Sequence, residues 1–185
     1  MSYKVGYFVG SLSSTSINRV LAKALISVAP DDLEFTEIPI RDLPLYSQDY
    51  DADFPPAASA LKQAIAAADA VLFVTPEYNR SIPGGLKNAI DWASRPYGDN
   101  AWEGKPAAIM GASPGILGTA RAQYHLRLIM VFLNMFPINK PEVMIGNCAE
   151  KFDGDGNLTD EKTRSFIQKA LISLVDWTVR IGPKE

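Results

Sequence analysis

The segment Ala70-Val71-Leu72-Phe73-Val74-Thr75 has five apolar residues in a row and runs directly into Pro76. A short apolar run closed by a turn signal reads as a strand buried on both faces. A sheet built from such strands must be covered by helices on each side. Tyr3–Val9 and Pro106–Ala112 read the same way. Leu33–Ile38 alternates instead, with Leu33, Phe35 and Glu37 set against Glu34, Thr36 and Ile38, and reads as a half-buried strand nearer an edge. Glu142–Ile145 reads as a short strand. Helical patterns fill the spaces between: Ile17–Ala29, Ala57–Ala68, Leu86–Ser94, Thr119–Asn134 and Asp160–Ile181. Strand and helix alternate throughout, which gives the α/β class with a five-stranded parallel sheet wrapped on both faces. Right-handed crossovers leave few topologies, of which 2-1-3-4-5 is a common one. A chain of 185 residues is most simply one domain spanning 1–185. Pro39–Pro56 is a long irregular connection, and its apolar patch Leu43–Tyr46 is expected to fold back onto the body.

In that strand order the crevice lies between the first and third strands, at their carboxyl ends. Three unusual loops meet there. Gly10–Asn18 carries five hydroxyls, on Ser11, Ser13, Ser14, Thr15 and Ser16, and opens a helix. A helix start has free N–H groups and the positive end of a dipole, so a phosphate is the natural guest. A bare N-cap needs only one hydroxyl. The second loop, Pro76–Gly85, is stiffened by two prolines. It offers an aromatic surface in Tyr78 and amide donors and acceptors in Asn79, which suits a flat heterocycle with hydrogen-bonding edges. The plainer alternative is a rigid loop whose Tyr and Asn pack and cap. The third loop, Ser113–Gly118, borders the same crevice.

Several tempting motifs fail on inspection. Gly111-Ala112-Ser113-Pro114-Gly115 has the spacing of a nucleophile elbow, yet Pro114 has no N–H for an oxyanion hole. The single histidine, His125, falls inside the next helix rather than after a late acid, and reads as an interface or surface residue. Asp153–Asn157 begins like a calcium loop but has Leu158 at the sixth position and Arg164 at the twelfth, so it reads as a turn. No Gly-Lys-Ser/Thr follows the first loop, which excludes a Walker nucleotide site. The lone Cys148 excludes an internal disulfide and a cysteine metal cluster. It reads as a small, buried or half-buried residue. Net charge is −3 with no basic tract, so nucleic acid is a poor partner. No apolar run reaches membrane-span length and the N-terminus lacks a signal-peptide pattern, which suggests the cytoplasm.

Three segments together carry a resemblance. They are Gly10-Ser11-Leu12…Ser16-Ile17-Asn18-Arg19, Pro76-Glu77-Tyr78-Asn79…Pro83-Gly84-Gly85-Leu86-Lys87-Asn88-Ala89-Ile90-Asp91-Trp92, and Ser113-Pro114-Gly115…Gly118…Arg121-Ala122-Gln123. In order and spacing they resemble the NAD(P)H-dependent FMN reductase family, nearest its chromate, quinone and azo reductases. The resemblance implies a flavodoxin-like three-layer sandwich that binds FMN. Ser11, Ser16, Ile17 and Asn18, with neighbouring atoms of Ser13, Ser14 and Thr15, would hold the phosphate. Pro76, Glu77, Tyr78 and Asn79 would line the isoalloxazine, and Ser113 and Gly115 would close its edge.

The resemblance also implies a ping-pong cycle. NAD(P)H passes a hydride to the flavin and leaves, and a quinone, azo or nitro compound, free flavin or metal oxyanion such as chromate takes its place. The flavin carries that chemistry, so no side chain is assigned as catalytic and no metal is expected. Family members form dimers or dimers of dimers, which makes Arg121, Tyr124, His125 and Glu142 candidate contacts in a homodimer or homotetramer. One position departs from the family. Its first loop usually has an arginine where this chain has Ser13, and a hydroxyl does not replace a guanidinium on a phosphate. Either Arg19 or Arg80 compensates, or FMN is held less tightly. A flavodoxin-type electron carrier is the rival. A phosphoacceptor receiver domain is excluded, since Val9-Gly10-Ser11 and Thr75-Pro76 stand where its acids should be.

Overall fold

A computed structural model describes residues 2–182. The parallel sheet is built from β1 (Tyr3–Val9), β2 (Leu33–Glu37), β3 (Ala70–Val74), β4 (Pro106–Ala112), β5 (Phe136–Pro137) and β6 (Val143–Ile145). The strand order is β2-β1-β3-β4-β5, with β6 also paired to β4. The five-stranded order expected from the sequence is therefore present, with its fifth place shared by two short strands. Phe136–Pro137 pairs with Pro106–Ala107, and Val143–Ile145 pairs with Met110–Ala112. Pro141 lies between them and has no N–H to give a ladder, so one continuous strand cannot run through it.

The helices are α1 (Ile17–Ser27), α2 (Pro56–Ala67), α3 (Gly84–Ala93), α4 (Ala120–Phe132) and α5 (Glu161–Ile181). The sheet separates two cores. Val5, Val9, Leu72, Val74 and Met110 face Leu21 and Leu25 of α1 and Ile167, Leu171 and Leu174 of α5. Phe8, Val71, Phe73 and Ile109 face Leu61 and Ile65 of α2, Leu86 and Ile90 of α3, and Leu126 and Met130 of α4. Alternate residues of each central strand feed opposite cores, which is why these strands read as unbroken apolar runs. Burial of the strand β3 is complete at all five positions.

The long connection after β2 folds back in part. The rings of Tyr46, Tyr50 and Phe54 surround buried Trp92, and the Trp92 indole N–H donates to the Pro44 carbonyl at 2.7 Å. Leu45, in the same patch, stays 83% exposed. The Asp153 turn closes on itself. Asp153 accepts from the N–H groups of Asp155 and Asn157 and from the Asn157 amide, and these bonds hold its carboxyl below the usual range. Among the described residues no helix is long and apolar enough to cross a membrane.

Candidate functional site

β1 and β3 end flush, with Val9 beside Val74, and β4 runs two residues further, from Met110 beside Val74 to Ala112. The three loops that follow are thereby brought to one mouth, and Thr75 is the hinge pin they share. A Cβ on Gly10 would lie 2.6 Å from the Thr75 hydroxyl. A Cβ on Gly111 would lie 2.4 Å from the Thr75 carbonyl and 2.1 Å from the Thr119 hydroxyl. Only glycine lets the backbones approach this closely. Leu12, in turn, packs on the start of α3, 3.3 Å from where a Gly85 Cβ would sit.

In the first loop Ser16 is the N-cap of α1, its hydroxyl accepting from the Asn18 N–H at 3.2 Å. The Ser11 hydroxyl is buried, accepts from the Ser13 N–H and shares a 3.2 Å hydrogen bond with the Tyr78 hydroxyl, tying loop one to loop two. The Ser13 and Thr15 hydroxyls bond each other at 3.2 Å. Ser13, Ser14 and Thr15 are exposed. Among the described residues, the N–H groups of Ser14 and Ile17 and the Ser14 hydroxyl have no protein partner. No carboxylate belongs to this loop. Unengaged donors at a helix start, without an acid, fit a phosphate.

The second loop contains a tight turn. Tyr78 and Ser81 exchange both backbone hydrogen bonds at 3.0 Å, and Asn79 and Arg80 take φ of 50° and 65°. Two positive φ values in a two-residue turn are the type I′ geometry, which favours asparagine. The Asn79 amide and the Asn79 and Arg80 N–H groups have no partner among the described residues. The turn is braced against α4, since Ser81 Oγ bonds His125 Nδ1 at 2.9 Å.

Three residues singled out by the sequence have side chains turned into the protein. Asn18 is 1% exposed, and its amide donates to the Ala112 carbonyl at 3.0 Å and accepts from the Ala112 N–H at 2.9 Å. Glu77 accepts from the Arg121 N–H at 2.9 Å, the Ala122 N–H at 3.2 Å and the Arg121 guanidinium at 3.2 Å. It caps α4, whose own N-cap, Thr119, makes no side-chain capping bond. Ser113 donates to the Gly118 carbonyl at 2.6 Å, closing its own loop. Pro76 and exposed Gly115 stay at the mouth.

Neither cation suggested by the sequence stands free in the first loop. Arg19 holds Glu37 with two bonds of 2.8 and 2.9 Å, and Arg80 sits on the tip of the turn in loop two. Instead Arg41, from the connection after β2, donates through Nη2 to the Leu12 carbonyl. Nothing in the sequence pattern could place it, because it lies in an irregular segment. The candidate contact residues are also largely engaged. Arg121 binds Glu77, and Glu142 accepts from the Tyr124 hydroxyl at 3.2 Å and pairs with Arg127 at 3.7 Å. The exposed apolar surface of α4 is elsewhere: Leu128 is 71% exposed, Val131 78% and Phe132 84%, with Tyr124 beside them. The run Leu128–Phe132 thus places apolar residues on the outer side of α4 as well as on the side of buried Met130.

The chain matches the family model described as NADPH-dependent FMN reductase over residues 3–150. It is 51% identical to a 2-hydroxy-1,4-benzoquinone reductase of a Burkholderia species, covering 96% of this chain and 97% of that protein. It is 50% identical to an NAD(P)H-dependent FMN reductase of Pseudomonas aeruginosa, covering 93% of each. Among solved structures, the NAD(P)H:acceptor oxidoreductase FerB of Paracoccus denitrificans superposes with a TM-score of 0.92 at 46% identity. That match covers 98% of this chain and 100% of the FerB chain.

Proposed function

The chain belongs to the NADPH-dependent FMN reductase family, and from that premise we propose that it is an FMN-dependent NAD(P)H oxidoreductase whose principal acceptors are quinones. Azo and nitro compounds, free flavin and metal oxyanions such as chromate belong to the same proposal. They accept electrons at an open mouth without needing a shaped acid–base pair. The observation that carries the reading is the convergence of two loops with unengaged donors: Ser14 and Ile17 in one, Asn79 and Arg80 in the other. The first set fits a phosphate and the second fits the polar edge of a flat ring.

When bound, FMN supplies the hydride and electron chemistry. The chain's own residues bind and orient. Ser11, Ser13, Ser14, Thr15 and Ser16, with the Ile17 N–H, would hold the phosphate; Pro76, Tyr78, Asn79 and Gly115 would border the ring. Asn18, Glu77 and Ser113 serve the same site by fixing its walls. NAD(P)H and the acceptor would use the mouth in turn, in a ping-pong cycle. We assign the protein to the cytoplasm as a homodimer or a pair of dimers. The exposed Tyr124, Leu128, Val131 and Phe132 form the face a second copy would cover, since a contiguous apolar patch of this kind marks an interface.

The test is the visible spectrum of the purified protein under anaerobic NADPH, followed by 1,4-benzoquinone. The reading expects flavin absorbance that bleaches with NADPH and returns with quinone. A flavin that stays oxidised under NADPH would identify an electron carrier instead.

A further inference from the structure

We propose that Arg41 is the phosphate-binding cation of this site, reaching in from the connection after β2 to supply the charge that the first loop lacks. The proposal rests on the FMN reading above and adds the residue that makes an atypical phosphate loop workable.

The first loop offers hydroxyls and N–H groups but no cation of its own. A phosphate dianion held by neutral donors alone lacks a compensating positive charge and the two-pronged bonds that a guanidinium gives it. Arg41 is exposed, and its guanidinium reaches the Leu12 carbonyl, one residue before Ser13. A guanidinium has five N–H donors, so one bond to Leu12 leaves others for an anion. Leu12 is itself held by packing on Gly85, which fixes the carbonyl that orients Arg41.

Arg41 lines a cavity of about 180 Å³ together with Ser11, Leu12, Arg19, Glu37 and Asp42. The charges facing it can be assigned. Arg19 and Glu37 neutralise each other in a two-bonded pair. The Tyr7 hydroxyl also donates to Glu37, at 3.3 Å. Asp42 follows Arg41 in the chain, but among the described residues no carboxylate lies within ion-pair distance of the Arg41 guanidinium. Arg41 is therefore the cation at this loop that remains available to an anion. The alternative is that Arg41 only ties two loops together. The two roles separate by ligand: a phosphate-binding cation distinguishes FMN from riboflavin, and a loop tie does not.

The experiment is an equilibrium fluorescence titration of flavin-depleted wild type, R41A, R41K, S13R and the double variant S13R/R41A with FMN and with riboflavin. Melting curves accompany it to establish folding. R41A is expected to bind FMN about tenfold more weakly, equivalent to about 1.4 kcal/mol, while its riboflavin affinity changes less than twofold. R41K should keep part of the FMN affinity. Raising the salt should weaken FMN binding to wild type more steeply than to R41A. Ser13→Arg should recover most of the loss in the R41A background and add little when Arg41 is present, because the two guanidinium groups serve one anion. Equal losses for FMN and riboflavin, or no loss for FMN, would overturn the proposal and leave the cofactor reading standing. A folded wild type that binds neither flavin would overturn the cofactor reading itself.

Discussion

Replacing Asn18 by alanine should destabilise the folded protein rather than remove a contact to a ligand. The backbone explains why. Met110 faces β3, where its carbonyl accepts from the Thr75 N–H at 3.0 Å. Ala112, two residues on, presents its polar groups to the same side. But β3 ends at Val74 and Pro76 turns the chain away, so no strand is left to pair with Ala112. The Asn18 side chain fills that place. With one carbonyl and one N–H pair it stands in for a peptide group, meeting the Ala112 N–H at 2.9 Å and its carbonyl at 3.0 Å. Asn18→Ala leaves a buried donor and a buried acceptor without partners, at roughly 1–3 kcal/mol each. A net loss of about 3 kcal/mol follows, and at roughly 2–4 °C per kcal/mol for a chain of this size Tm falls by about 6–12 °C.

The assay is urea unfolding of flavin-free protein followed by tryptophan fluorescence, so that cofactor binding does not add to the measured stability. Asn18→Asp sharpens it. Protonated, the carboxyl can still donate to the Ala112 carbonyl; ionised, it opposes that carbonyl. Its pKa in the folded state therefore lies above the unfolded value of about 3.9. Its contribution is fully present below that value and lost as pH rises through the folded pKa. The deficit of Asn18→Asp relative to wild type should shrink on acidification. Wild-type stability in Asn18→Ala together with lost FMN affinity would refute the reasoning and make the side chain a direct ligand.

Glu77→Ala should cost roughly 1–2 kcal/mol in chemical denaturation, the scale of a lost helix cap, because the Arg121 and Ala122 N–H groups lose their acceptor. An unchanged midpoint would contradict the capping role. Asn79→Gly should weaken FMN binding in titration without changing Tm by more than about 2 °C, since glycine keeps the positive φ while removing the amide; undiminished affinity would remove Asn79 from the site. Cys148 is 2% exposed and burial pushes its thiol pKa up. Ellman's reagent should therefore react freely in urea but only slowly with folded protein, even at pH 9, and rapid native labelling would count against it. Leu128→Glu or Phe132→Glu should convert a dimer to a folded monomer near 20.2 kDa in size-exclusion chromatography; a monomeric wild type at micromolar concentration would show that a second copy does not cover α4.

The fold was legible where periodicity is strong. β1, β3 and β4 are buried on both faces, so an apolar residue is required at nearly every position, and their boundaries could be read directly. The fifth strand was not legible as a pair. Phe136–Pro137 is two residues long, too short to show any period, and it exists because the Ile138 N–H and the Phe136 N–H find acceptors on Ala107 and Lys105. The loops were legible as backbone. The direction of their side chains was not, since Asn18, Glu77 and Ser113 are residue types that suggest ligands yet serve backbone groups. The demand comes from Ala112, from the start of α4 and from Gly118, each far away in sequence or set by the local turn. A single sequence does not reveal which distant N–H will be left without a partner.

This division of labour is what the proposed phosphate-and-ring site would need. Donors that meet an anion must already be fixed when it arrives, or their ordering subtracts from affinity. Here the fixing is done by side chains pointing away from the mouth. Asn18 locks the start of α1 to the end of β4, Glu77 locks loop two to α4, and the Ser11–Tyr78 bond joins loop one to loop two. The backbone N–H groups of Ser14 and Ile17 are left unengaged on that frame. Neutral hydroxyls suffice to shape such a loop but add no charge. A cation from outside it, on the irregular connection after β2, would add attraction for the anion while the frame stays intact. That is the arrangement proposed for Arg41, which donates to the Leu12 carbonyl.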